Sequence, residues 1–174
     1  MGDKNARPVR PATVKDAGMA PFIHLFPEQG TAEMRTFIIR GAADLPDDEY
    51  GLLELYCMDA GCHCRRVLLN VVGRRQQAVL ASVSYAFDPN DEWPGPFLDP
   101  LNPQSSYAGV LLDLTAQILA DPDYVARLEA HYNQVKAATG DPTQPGLRRL
   151  PRPAVPSRAR PPRSWLNQQT RRSR

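Results

Sequence analysis

The sequence predicts an α+β domain: an antiparallel β-meander of about four strands, carrying a cysteine metal knuckle at a hairpin, followed by two α-helices packed on the sheet. Disordered N- and C-terminal arms flank it. Three observations predict this. Residues 35–87 hold apolar runs of strand length separated by turn formers. After residue 106 the apolar period lengthens from two to 3.6. Outside these stretches, many of the 18 prolines fall in polar or arginine-rich sequence that supports neither pattern. The division is an arm over 1–20, a domain over 21–140 and a tail over 141–174.

In chain order, Phe22 to Phe26 is a short apolar run and reads as an edge strand. Arg35-Thr36-Phe37-Ile38-Ile39-Arg40 reads as a second strand. Ala43 to Tyr50 contains Pro46 and four acidic residues and reads as a loop. Leu52 to Cys57 and Val67 to Val72 are strands on either side of the cysteines, and Gly73 to Gln77 turns the chain. Ala78 to Phe87 alternates, with Val79, Ala81, Val83, Tyr85 and Phe87 on one face, opposite Ser82 and Ser84. Asp88 to Ser106 holds five prolines and reads as an irregular connection, packed down by Trp93 and Phe97.

Tyr107, Val110, Leu111, Leu114 and Ile118 recur at helical spacing, with Ser105 or Ser106 as the cap. Asp121-Pro122 opens a second helix, with an N-cap followed by proline in the first turn. Its apolar stripe is Tyr124, Val125, Leu128, Tyr132 and Val135, and Gly140 ends it.

All three cysteines lie in Cys57-Met58-Asp59-Ala60-Gly61-Cys62-His63-Cys64. A four-residue hairpin loop would set Cys57 opposite Cys62, and side-chain alternation would put Cys64 on the same face. Three sulfurs would then converge, and zinc accepts thiolates at about 2.3 Å in a tetrahedron. Arg65 and Arg66 would offset the thiolate charge. His63 would point to the opposite face. His131 falls beside Leu128 and Val135 on the buried edge of the second helix and is taken as the fourth ligand. A core histidine is the plainer reading of that residue. The expected metal set is thus Cys57, Cys62, Cys64 and His131, holding a structural Zn2+. Thiol redox chemistry and inert packing are the competing readings of the cysteines.

Formal net charge is +2, and its distribution is uneven. Residues 147–174 carry nine arginines and no lysine or acidic residue, so residues 1–146 hold 12 basic and 19 acidic side chains. An acidic body with a basic tail points to a nucleic-acid or acidic-protein partner for residues 147–174. No stretch approaches the ~18 apolar residues of a membrane span, and no apolar signal-peptide core opens the chain. Ala6 breaks the myristoylation pattern that Met1-Gly2 would begin. A reducing, cytoplasmic setting follows as the expectation, and it favours metal over disulfide. No P-loop or glycine-rich cofactor turn is present.

The run from Glu49-Tyr50 through Cys57 to Cys64-Arg65-Arg66-Val67 resembles a family of uncharacterised bacterial proteins with a Tyr-Cys-x4-Cys-Asp-Cys-Arg-Arg-Val core. The likeness continues at Asn102-Pro103-Gln104-Ser105-Ser106 and from Asp121-Pro122-Asp123-Tyr124-Val125 to His131-Tyr132. It covers about residues 35–136, with His63 in place of the usual acidic residue. What it implies is metal binding through Cys57, Cys62 and Cys64, with His131 as a further ligand. It implies no activity. The function expected is a small zinc-binding interaction module with a basic tail. The alternative is a thiol redox or metal-dependent enzyme built on the same cysteines.

Overall fold

A computed structural model describes residues 18–59 and 61–140. Residues 1–17 of the arm expected over 1–20, and the tail expected over 141–174, lie outside the described residues. In chain order the elements are β1 (Met19–Pro21), α1 (Phe22–Leu25), α2 (Pro27–Ala32), β2 (Arg35–Ile39), β3 (Asp48–Cys57), β4 (Arg66–Gly73), β5 (Ala78–Ala86), β6 (Phe97–Leu98), α3 (Ala108–Leu119) and α4 (Pro122–Gly140). The expected α+β class is the observed one: an antiparallel sheet followed by two helices.

The sheet has six strands in the order β1-β3-β4-β5-β6, with β2 also paired to β3. Strand β3 pairs with three others, β1, β2 and β4. Its far edge is shared by two partners: β2 covers Asp48 to Leu52, and β1 covers Leu55 to Cys57. Along β3, Asp48, Tyr50, Leu52, Glu54 and Tyr56 are buried while the alternate residues are half-exposed. That period of two aims one face at the core. Tyr50, Leu52, Tyr56, Val67, Leu69, Val71, Ala81 and Val83 from the strands belong to one buried cluster with Leu111, Leu119, Tyr124, Leu128, Tyr132 and Val135 from the helices. Fully burying an aliphatic side chain of this size contributes about 1.5–3 kcal/mol.

Four sequence expectations need correction. Phe22 to Leu25 is helical: Pro21 sets the entry to α1, and the N–H of Phe26, which ends it, donates to Phe22 O at 2.8 Å. The edge strand is instead β1, which starts three residues earlier and straddles the expected boundary between arm and domain at residue 20. Gly30 lets α2 lie on α1, because a Cβ there would come 2.6 Å from Ile23 Cα.

Second, Ser82 and Ser84 are buried, whereas Val79 is 45% exposed. An irregularity between Val71 and Val72 leaves Leu80 outside the ladder, so Leu80 is buried and Val79 is not. The 88–106 connection also covers the second face. Gln104 accepts from Ser82 N–H at 3.0 Å and donates to Ser82 O at 3.1 Å, and Ser82 Oγ donates to Asn70 Oδ1 at 2.7 Å.

Third, Trp93 does not pack that connection down. It is 64% exposed, and the anchor is Arg66, whose guanidinium donates to Asp91 and to Trp93 O and lies over Phe97. Fourth, the loop expected up to Tyr50 gives way to strand at Asp48. The Asp48 carboxylate turns inward and accepts from Arg75 N–H, tying the β4–β5 turn to β3.

Only α4 starts on the expected cap: Asp121 Oδ1 accepts from Asp123 N–H at 3.0 Å. The N-cap of α3 is Tyr107, which makes no side-chain cap bond, and Ser105 Oγ instead accepts from Tyr107 N–H at 3.1 Å in the turn that leads into the helix, so neither Ser105 nor Ser106 is the cap. No described helix is long and apolar enough to cross a membrane.

Candidate metal centre

The connector from Met58 to Arg65 joins β3 to β4 and holds two of the three cysteines. Its fold starts at Asp59. The Asp59 carboxylate accepts from Gly61 N–H at 2.8 Å, and its carbonyl accepts from Cys62 N–H at 3.1 Å. An aspartate that bonds its own backbone two residues on makes a tight turn. This turn folds Cys62 back toward the end of β3, where Cys57 sits. Cys64 N–H then donates to Cys62 Sγ at 3.4 Å.

The outcome is a group of three sulfurs, from Cys57, Cys62 and Cys64, all within 4.8 Å of one another. All three are free thiols and half-buried. They are positioned to bind a metal ion. Exposure alternates along the connector: Cys62 and Cys64 are half-buried, His63 and Arg65 exposed. His63 therefore stays out of the group, as its place in the alternation predicts.

The thiols are not equivalent. The Cys62 thiol is held below the ordinary thiol range by a hydrogen bond from the Cys64 thiol. The Cys64 N–H, the Cys57 thiol and the Lys136 ammonium add to the effect. Cys64 is pushed up to about 12, first by burial and then by the sulfurs of Cys62 and Cys57 around it. Cys62 is thus more readily ionised than Cys64, which donates to it.

Two expected features of this centre are absent. Cys57 and Cys62 are not cross-strand partners. The β3–β4 ladder ends at Leu55 and Leu68, and Cys57 is opposite Met19 of β1. The sulfurs meet because the connector turns back, not through strand register. Nor do Arg65 and Arg66 serve the thiolates: Arg65 pairs with Glu129, and Arg66 with Asp91. The cation by the cysteines is Lys136, which sequence reasoning missed. Its ammonium donates to Asp59 O at 2.8 Å and lies 5.6 Å from the centre of the Tyr132 ring. With Arg65–Glu129 it binds the connector to α4.

The expected fourth ligand, His131, is not brought to the cysteines. It is 2% exposed, and both of its ring nitrogens are taken. Nδ1 lies 2.7 Å from Glu54 Oε2, and Nε2 lies 2.7 Å from Glu33 Oε2. Phe22 stacks on the ring at 3.9 Å. The reason is strand parity. Glu54 and Tyr56 share the inward face of β3, and Cys57, one residue on, takes the other. An inward histidine on α4 therefore meets Glu54 and not the sulfur.

Glu54 and Glu33 are the residues that sequence reasoning missed. Glu54 carried a readable signal: it has the parity of Tyr50, Leu52 and Tyr56, which makes it a carboxylate on a core face in need of a cation or donor. Glu33 carried none, because it comes from the residue after α2.

No family model, curated protein or solved structure matches this chain. The functional reading therefore rests on the residues themselves.

Proposed function

We propose that the chain is a metal-binding protein in which the thiolates of Cys57, Cys62 and Cys64 hold one zinc ion in a structural role. The observation that carries this is the convergence of three sulfurs within 4.8 Å, one from the end of β3 and two from the connector that follows it. Three sulfurs bound tetrahedrally at about 2.3 Å stand about 3.8 Å apart, so small shifts suffice to close on an ion. Thiolate ligands select soft or borderline metals such as Zn2+ and Cu(I) over Mg2+ or Ca2+. With His131 committed to carboxylates, the fourth position falls to a ligand beyond these three sulfurs. The likeness of the Tyr56–Val67 core to the bacterial family agrees with a shared metal knuckle. Elemental mass spectrometry of purified protein, with a free-thiol count before and after chelation, tests the reading. One zinc per chain with thiols released on chelation is expected. Metal-free protein with three titratable thiols, unchanged on adding zinc, overturns it. A disulfide among the three would favour the redox alternative, which the lowered Cys62 thiol makes the second reading.

The proposed module would work through its tail. Nine arginines in residues 147–174 without an acidic neighbour suit a polyanion, and residues 1–146 are net acidic. Nucleic-acid binding at low salt, independent of sequence and lost on deleting 147–174, is the expected result. Its salt slope would be roughly −0.9 per phosphate contacted on duplex DNA. Undiminished binding by the truncated chain would reject the arm.

A further inference from the structure

We propose that Glu33, His131 and Glu54 form a proton-operated latch: it holds α1 and α2 against the sheet and α4 while His131 carries two ring protons, and releases them when one is lost. This does not depend on the metal reading. The geometry suits a doubly protonated ring. Both ring nitrogens lie 2.7 Å from a carboxylate oxygen. An ionised carboxylate only accepts hydrogen bonds, and a neutral imidazole has a single N–H. Between two ionised carboxylates, only the imidazolium can donate to both.

The surroundings point the same way. From β3, the single Tyr56 hydroxyl lies between two acceptors, the same Glu54 oxygen at 2.9 Å and Leu128 O at 3.0 Å. From α2, Gln29 Nε2 comes within 3.4 Å of both His131 Nε2 and Glu33 Oε2. From α1, Phe22 covers the ring face and brings no charge. On α4 itself, Gln134 donates to Gln29 Oε1, and Arg127 lies over Tyr124, whose ring also faces Arg35 of β2. Burial alone would drive the ring neutral, but the hydrogen bonds and charges of Glu54 and Glu33 outweigh it and raise the His131 pKa. Glu33 is lowered in turn, chiefly by its bond to His131.

The two halves of the latch differ in strength. Glu54 is 6% exposed on β3, whereas the Glu33 side chain is 36% exposed just after a six-residue helix. A neutral ring keeps one N–H, so the exposed contact to Glu33 is the one to give way. Helices of four and six residues do not persist without tertiary contacts. Between them and the sheet lies a cavity of about 10 Å³, bounded by Phe22, Ile23, Leu52, Glu33, Glu54 and His131, and room for about one water. Release would wet it.

The sign follows from the raised histidine. The contribution is complete below the ordinary histidine pKa of about 6.5 and is lost as pH rises through the higher folded-state value. The test is a titration of the full chain from pH 5 to 10, recording His131 ring nitrogens by NMR and amide exchange over residues 22–33. Two protonated ring nitrogens at pH 7 are expected. A single loss at higher pH should then be matched by exchange in 22–33 rising faster than the intrinsic base-catalysed rate, with Leu111 and Leu128 unaffected. In Glu33→Gln the amide can accept from or donate to Nε2, so the neutral ring is satisfied. Its midpoint should fall by about one unit or more. A singly protonated His131 at pH 7, or exchange in 22–33 indifferent to its titration, overturns the latch. So does a Glu33→Gln midpoint equal to the wild type. Should that variant not fold, the wild-type titration decides alone.

Discussion

The cysteine cluster and the His131 network both take a residue from β3 and are both tied to α4, and each gathers three ionisable side chains. They differ in how they are built. The sulfurs come from eight consecutive residues, sit half-exposed and donate only to one another. The network draws Glu33, Glu54 and His131 from three distant places, buries two of them and satisfies both ring nitrogens. A set of donors left to itself is ready for an ion, whereas a set in which every donor has its acceptor holds the fold. Chemistry alone does not separate the two, since histidine and carboxylates are metal ligands as readily as cysteine. Partner satisfaction does.

Four changes would break or sharpen that contrast. The largest effect is expected from Cys62→Ser. If the connector holds zinc, metal stoichiometry should fall to near zero and thermal unfolding of the loaded protein should shift steeply down. Binding in small zinc-folded peptides is worth about 10–16 kcal/mol. Melting identical to wild type with metal retained would leave Cys62 outside the site. His131→Ala comes next. Removing one partner of a buried charge pair costs about 3–5 kcal/mol, readable by denaturant unfolding. Its metal content should stay at the wild-type level; a loss would merge the two regions into one site. Lys136→Met keeps the stem but drops the ammonium beside Asp59 O and Cys62. Metal affinity should fall several-fold in a competition titration, with stability within about 1 kcal/mol of wild type. His63→Ala should change neither quantity, and a drop in affinity would make the exposed ring a ligand after all.

Much of this was legible in the sequence, and where it was not, the reason is long-range packing. Strands β2 to β5 and both long helices follow from local periodicity and from Asp121-Pro122. The cysteine cluster follows from spacing alone, although the reason given by strand register does not hold, because the ladder stops at Leu55 and the Asp59 turn does the folding. Phe22 to Leu25 has strand composition but forms a helix, since Pro21 and the docking of Phe22 on His131 override propensity. The role of His131 turned on a residue 77 positions away, Glu54. No local pattern states that pairing, but the inward parity of Glu54 shows that it needed some partner.

The connector's position has a consequence for the order in which the chain assembles. β1 meets β3 only after the chain has closed from Met19 to Cys57, while the sulfurs are gathered within one hairpin loop. Closing a short loop costs little entropy and is fast, and the longer closure comes later. The three thiols can therefore come together on a nascent hairpin before α4 exists. An ion captured at that stage would set the β3–β4 register that every later element docks against. It would then act on the rate of folding, with refolding faster in zinc than in chelator.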